Sequence, residues 1–96
     1  MHQLKDKPEE KQYQFEIDGH IAKIEYIRTA KKIYLTHTQV PSELEGQGVG
    51  SALVKAVLTD IEKKDLNLIP LCPFVAAYIK RHPEWKKLLL DGVNLK

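Results

Sequence analysis

Apolar and polar positions alternate along the first half of the chain, and then the period changes. Tyr13-Gln14-Phe15-Glu16-Ile17 alternates strictly, as a half-buried strand does. Asp18-Gly19 follows and reads as a two-residue hairpin turn. The return strand runs from His20 to Ile27, with Ala22, Ile24 and Tyr26 on one face. Arg28-Thr29-Ala30-Lys31 makes a second turn. Lys32 to Val40 is a third strand, rich in β-formers and ended by Pro41. The three predict an antiparallel meander. From Gln47 to about Lys64 the period becomes helical. Val49, Ala52, Leu53, Ala56, Val57 and Ile61 share one face, and Ser51, Lys55, Thr59 and Glu62 the other. Leu66 to Cys72 is a short apolar run, predicted as a fourth strand. Placed parallel to the third, it closes a right-handed crossover through the helix. Pro70 within it suits an edge or a splay. Pro73 opens a second helix that runs through His82. Pro83 stops that helix and starts a last one over Glu84 to Leu90, ended by Asp91-Gly92. The order β-β-β-α-β-α-α is an α+β fold: a three-stranded meander, a central helix, a fourth strand added in parallel, and C-terminal helices.

Composition narrows the class. The chain has 96 residues, which makes one domain with a modest core. Its hydrophobic share of 43% and charged share of 29% are those of an ordinary globular protein. No apolar run approaches a membrane span. Residues 1–11 are charged, lack the apolar core of a signal peptide, and are expected to be a disordered tail before a single domain over 12–96. One cysteine excludes an internal disulfide and suits a reducing compartment, most simply the cytoplasm. A net charge of +2 makes no case for nucleic acid, and Lys63-Lys64 and Lys86-Lys87 are too sparse to form a basic face.

Between the third strand and the helix lies Glu45-Gly46-Gln47-Gly48-Val49-Gly50-Ser51. Glycine permits positive φ and close approach to the main chain. The first amides of the helix have no intrahelical partner, and with the dipole behind them they suit a phosphate-like anion. The spacing equally suits a plain flexible turn. It is not the dinucleotide fingerprint, because the glycines run G-x-G-x-G after a meander. It is not a Walker loop, because Ser51 and Ala52 follow Gly50 with no lysine. Farther on, Cys72 sits at a strand end and helix start, where a thiolate is stabilised. It is either a nucleophile or a small buried hydrophobe. Alternation puts His37 on the face of Ile33 and Leu35, as a general base or as a hydrogen-bonded strand histidine. No Cys or His pair has metal-ligand spacing, so no metal is expected.

The loop resembles the pyrophosphate loop of the GCN5-related N-acetyltransferases, whose motif is Gln/Arg-x-x-Gly-x-Gly/Ala. Gly48 and Gly50 match its glycines, and Glu45 stands where Gln or Arg is usual. A small subfamily of this size is also similar at Pro41, at Leu53-Val54 and at Cys72-Pro73-Phe74-Val75…Tyr78…His82-Pro83-Glu84. The resemblance spans roughly residues 12 to 88. It implies a minimal version of that family's fold and an acetyl-CoA or coenzyme A ligand. Main-chain amides of Gly46, Gln47, Gly48, Val49, Gly50 and Ser51, beside Glu45, would hold the pyrophosphate. Thr38, Gln39 and Val40 would line the pantetheine arm where the third strand splays from the fourth. Cys72 would stand at the thioester, His37 would be the base, and Tyr78 the acid for the leaving thiol. Lys80 and Arg81 would reach the 3′-phosphate, while His82 caps the last helix or touches coenzyme A. His20 reads as surface and His2 as tail. The implied activity is acyl transfer to an unidentified acceptor, a small amine or a protein, by direct attack or through Cys72. The alternatives are a coenzyme A-binding module with little turnover, or a plain interaction domain.

Overall fold

The computed structural model describes residues 3–90. Strands β1 (Lys5–Lys7), β2 (Gln12–Ile17), β3 (His20–Arg28), β4 (Lys32–Gln39) and β5 (Asn67–Pro70) form one sheet in sequence order. The β1–β2, β2–β3 and β3–β4 pairs are antiparallel, and β4–β5 is parallel. The β2–β3 hairpin turns on Asp18 (φ 51°) and Gly19 (φ 79°). Two successive positive φ values are the primed turn that matches the twist of the flanking strands. Helix α1 (Val49–Lys63) carries the chain from β4 to β5, and α2 (Pro73–Arg81) follows β5. A 3₁₀ segment over Pro83–Leu88 comes next.

The core lies between one face of the sheet and the two helices. Tyr13, Phe15, Ala22, Ile24, Tyr26, Ile33, Leu35 and Leu68 come from the strands. Leu53, Val57 and Ile61 of α1 and Val75, Tyr78 and Ile79 of α2 meet them. The buried stripe of α1 is rotated from its expected position. Val54 and Leu58 are fully buried, whereas Ala52 is exposed and Ala56 half-buried. The larger side chains take the inside because they bury more apolar surface. The helix also begins at Val49 rather than Gln47, since Gly48 is its N-cap in a left-handed conformation.

The first strand corrects the expectation of a disordered tail over the described part of residues 1–11. Lys5–Lys7 pairs with β2, and Pro8–Glu10 makes a 3₁₀ turn. Polar side chains with long-range partners hold it. Tyr26 donates its hydroxyl to Asp6, and Lys64 reaches Asp6 at 2.9 Å and Asp60 at 2.7 Å. Tyr13 donates to Asp60 Oδ2 at 2.7 Å, and the two tyrosine rings lie 5.2 Å apart. No apolar periodicity marks Lys5-Asp6-Lys7, so its strand was invisible to a hydrophobic pattern. The last segment is 3₁₀ rather than α-helical, and Leu89 ends it in extended backbone. The expected Asp91-Gly92 terminator and His2 lie outside the described residues.

Candidate active site

After Gln39 the chain leaves the sheet through Val40 and Pro41 and makes a 3₁₀ turn over Ser42–Leu44, anchored by buried Leu44. It then turns twice through left-handed glycines, Gly46 (φ 79°) and Gly48 (φ 73°). A Cβ at either of these would meet nothing within 4 Å, so this backbone borders open space. Ala52 is the first α1 residue with an intrahelical amide bond, to Gly48 O at 3.0 Å. The amides ahead of it are the orphan donors of a helix start. Gln47 Nε2 donates to Glu43 O at 3.3 Å, which ties the turn to the preceding one. Glu45 is exposed.

Gly50 differs from its neighbours. A Cβ there would sit 2.8 Å from Phe74 Cζ and 3.5 Å from Val40 Cγ2. The Phe74 ring therefore rests on the first turn of α1, at the end of β4. Together with Val40, Leu44 and the glycine turn it lines a shallow cavity of about 220 Å³.

Cys72 is the N-cap residue of α2 and is only 4% exposed. Its amide donates to Leu35 O at 2.9 Å, extending the β4–β5 pairing by one step. Its Sγ lies 3.3 Å from Thr38 Oγ1. A bulge in β4 makes that contact possible. Glu25 pairs with His37 and Tyr26 with Leu35, so Thr36 is the extra residue. Directly paired residues share a face. Thr38, opposite buried Ile24, thus returns to the face of Leu35 and the helices.

The same bulge overturns the placement of His37. It pairs with Glu25, is exposed, and points away from the face of Ile33 and Leu35. Simple alternation fails because one inserted residue inverts every position beyond it. Gln39, paired with Lys23, is exposed on that outer face too. Tyr78 is a core residue stacked on His82, with ring centroids 4.3 Å apart. Burial first, then the nearby Glu84 carboxylate, push its phenol above the ordinary range. Six residues of helix separate it from Cys72, about 9 Å along the axis. Lys80 and Arg81 are exposed at the far end of α2 from Phe74. His82 caps the 3₁₀ segment through its carbonyl, which accepts from Trp85 N at 3.1 Å, and not through its ring. His20 is half-buried, with Nδ1 3.9 Å from Glu43. The structure thus gathers Thr38, Cys72, Val40 and the 46–51 turn on one side of β4, and leaves His37 on the other. Phe74 entered the sequence reading only as part of the Cys72-Pro73-Phe74-Val75 block and was given no role of its own. Its signal was an aromatic just inside a helix start, where the apolar periodicity of α2 does not need one.

A meander extended by a parallel strand through an α-crossover, with a glycine turn at the crossover helix, defines an acetyltransferase-like α+β domain. The family model of the GCN5-related N-acetyltransferases matches residues 12–88, and the chain belongs to that family. It is similar to a GCN5-like protein from Staphylococcus aureus known from its solution structure. The two share 28% identity with a TM-score of 0.68, over 92% of this chain and 87% of the other.

Proposed function

We propose that this chain is an acetyl-CoA-dependent N-acetyltransferase acting on an amine. What supports this is one juxtaposition on the helix-covered side of β4. At one end is the start of α1, with orphan amides and glycine backbone facing open space. At the other is Cys72 against Thr38. The amides of Gly46 to Ser51 would take the pyrophosphate, with the dipole of α1 favouring its charge. Val40 and Thr38 would flank the pantetheine arm on its way to Cys72.

The ligand supplies an activated acyl group. Direct transfer forms the C–N bond to the amine and breaks the thioester C–S bond, and the thiol leaves with the amine's proton. The covalent route first forms a bond between the acyl carbon and Cys72 Sγ as the thioester C–S bond breaks, and the coenzyme A thiol leaves with the cysteine's proton. The amine then forms the C–N bond, the acyl C–Sγ bond breaks, and the amine's proton returns to Cys72. Sγ contacts the Thr38 hydroxyl, which orients the sulfur but is no base. His37, on the opposite face, is not placed to deprotonate it.

Intact-mass spectrometry after incubation with acetyl-CoA tests the reading, with an amine panel assayed in parallel. Acetyl transfer by wild type is expected. If Cys72→Ala keeps turnover, attack is direct. If it loses turnover and wild type gains one acetyl on Cys72, transfer is covalent. Coenzyme A binding with no acetyl loss on any amine would replace the enzyme by a binding module. Failure to retain coenzyme A at all removes the proposal.

A further inference from the structure

We infer that Thr38 is a positioning residue for Cys72: its hydroxyl turns to donate to Sγ when the sulfur gives up its proton, and so supports the ionised nucleophile. The inference deepens the function proposed above and bears on its covalent route. The contact is 3.3 Å between Thr38 Oγ1 and Sγ, made across 34 residues of sequence. Sulfur is a weak partner while it holds its proton. Once it is charged, the same hydroxyl makes a charge-assisted bond, about twice as strong as a neutral one. A threonine hydroxyl changes from acceptor to donor by rotating about one bond, with no heavy atom moved. In titration the proton of Sγ passes to water; in the acyl transfer above it ends on the departing thiol. In both, the S–H electron pair stays on sulfur.

The helix start does not already supply this bond. Cys72 is the N-cap of α2, yet its side chain makes no capping hydrogen bond to the first turn. Its own amide is taken up by Leu35 O at 2.9 Å, and its carbonyl accepts from Ala76 N at 3.0 Å. The dipole of α2 remains, as a field rather than a contact. Nor does an ionisable side chain supply it. β5 carries none. On β4, Lys32 and Tyr34 alternate with buried Ile33 and Leu35 and so fall on the outer face, which His37 shares beyond the bulge. The first ionisable residue of α1 is Lys55, which is exposed, as is Glu45 of the glycine turn. The first turn of α2 has no acidic residue, and Tyr78, Lys80 and Arg81 lie farther along it. At 4% exposure Cys72 has little water to solvate a charge, so a donor within the protein carries more weight.

Thr38→Val keeps the branched shape and removes the hydroxyl, and Thr38→Ser restores it. Cys72 is the sole thiol, so its thiolate absorbance in the ultraviolet can be titrated directly, with a Cys72→Ala spectrum subtracted to remove the tyrosines. The midpoint in Thr38→Val is expected about one pH unit above wild type, a tenfold change in the ionisation equilibrium. Thr38→Ser is expected to return it to the wild-type position. Alkylation of Cys72 by iodoacetamide at fixed pH should slow in Thr38→Val and recover in Thr38→Ser. A merely structural role would change alkylation by one factor at every pH and leave the midpoint in place. Coincident midpoints in wild type and Thr38→Val, or equal shifts in the Val and Ser variants, overturn the inference. Should Thr38→Val not fold, Thr38→Ala reads the same quantity. An acetyl-CoA arm separates this inference from the function above. A midpoint shift in a protein that retains no coenzyme A keeps the hold of Thr38 on the sulfur and overturns the assigned ligand. Acetyl transfer by wild type with no shift in Thr38→Val keeps the enzyme and overturns the role of Thr38.

Discussion

Tyr13 shows how one hydroxyl can matter in a chain this small. Its ring is fully buried, and its hydroxyl ends on the Asp60 carboxylate. Hydrogen bonds to charged groups are worth about 1.5–3 kcal/mol net, and removing one leaves the partner poorly satisfied. Tyr13→Phe should therefore lower stability by about 1–2 kcal/mol, discounted for the solvent that reaches Asp60. A urea melt checks it: the midpoint falls while the slope stays constant. Gly48 makes the opposite case. Nothing crowds its Cβ position, so any cost of Gly48→Ala comes from φ 73° alone. That cost is about 1 kcal/mol, read as a lower thermal midpoint. A melt unchanged by this substitution would mean that the turn does not need its left-handed residue.

At the scale of elements, the strands that alternate and the helices bounded by proline were legible. Asp18-Gly19 specified its turn, and Pro73 the start of α2, because each acts through its own backbone. Three things were hidden, each decided by partners distant in sequence. β1 is held by Tyr26 and Lys64, which lie 20 and 58 residues from Asp6. The inside face of α1 was settled by which side chains the sheet could accommodate. The Thr36 bulge reverses the end of β4, and no residue type announces it. That reversal governs the site, since it exchanges His37 for Thr38 next to the sulfur. Accordingly His37→Ala should leave Cys72 alkylation and any acetyl transfer within about twofold of wild type, as exposed substitutions usually do. A large loss would place His37 in the reaction despite its side of the sheet.

For the whole molecule, the tyrosine–carboxylate–lysine cluster sets a pH window for stability. Burial alone would raise the Asp60 carboxyl, but hydrogen bonds from Lys64 and Tyr13 outweigh it and hold it below its ordinary value. The unfolded chain thus takes up a proton near pH 4 before the folded one does. This contribution is complete above that pH and is lost as pH falls through the folded value. Tyr13 and Tyr26 run the other way. Burial, then hydrogen bonding to Asp60 and Asp6 respectively, push both phenols well above the ordinary 10.0. Burial opposes the charge on Lys64, yet its two carboxylate partners raise it above 10.5. These contributions are complete below about pH 10 and are lost as pH rises. The urea midpoint should be level between about pH 5 and 9 and fall on both sides. Asp60→Asn should weaken the acid limb, and Tyr26→Phe the alkaline one. A further consequence follows from the far border of the sheet. There Leu89 bridges Leu68 in parallel, and Leu90 N donates to Leu68 O at 3.0 Å. Those two leucines occupy hydrogen-bonding sites that a neighbouring molecule's backbone could otherwise claim. A chain stopped after Leu88 should therefore scatter more light as its concentration rises, having been made adhesive by the loss of a cover rather than by any change in its fold.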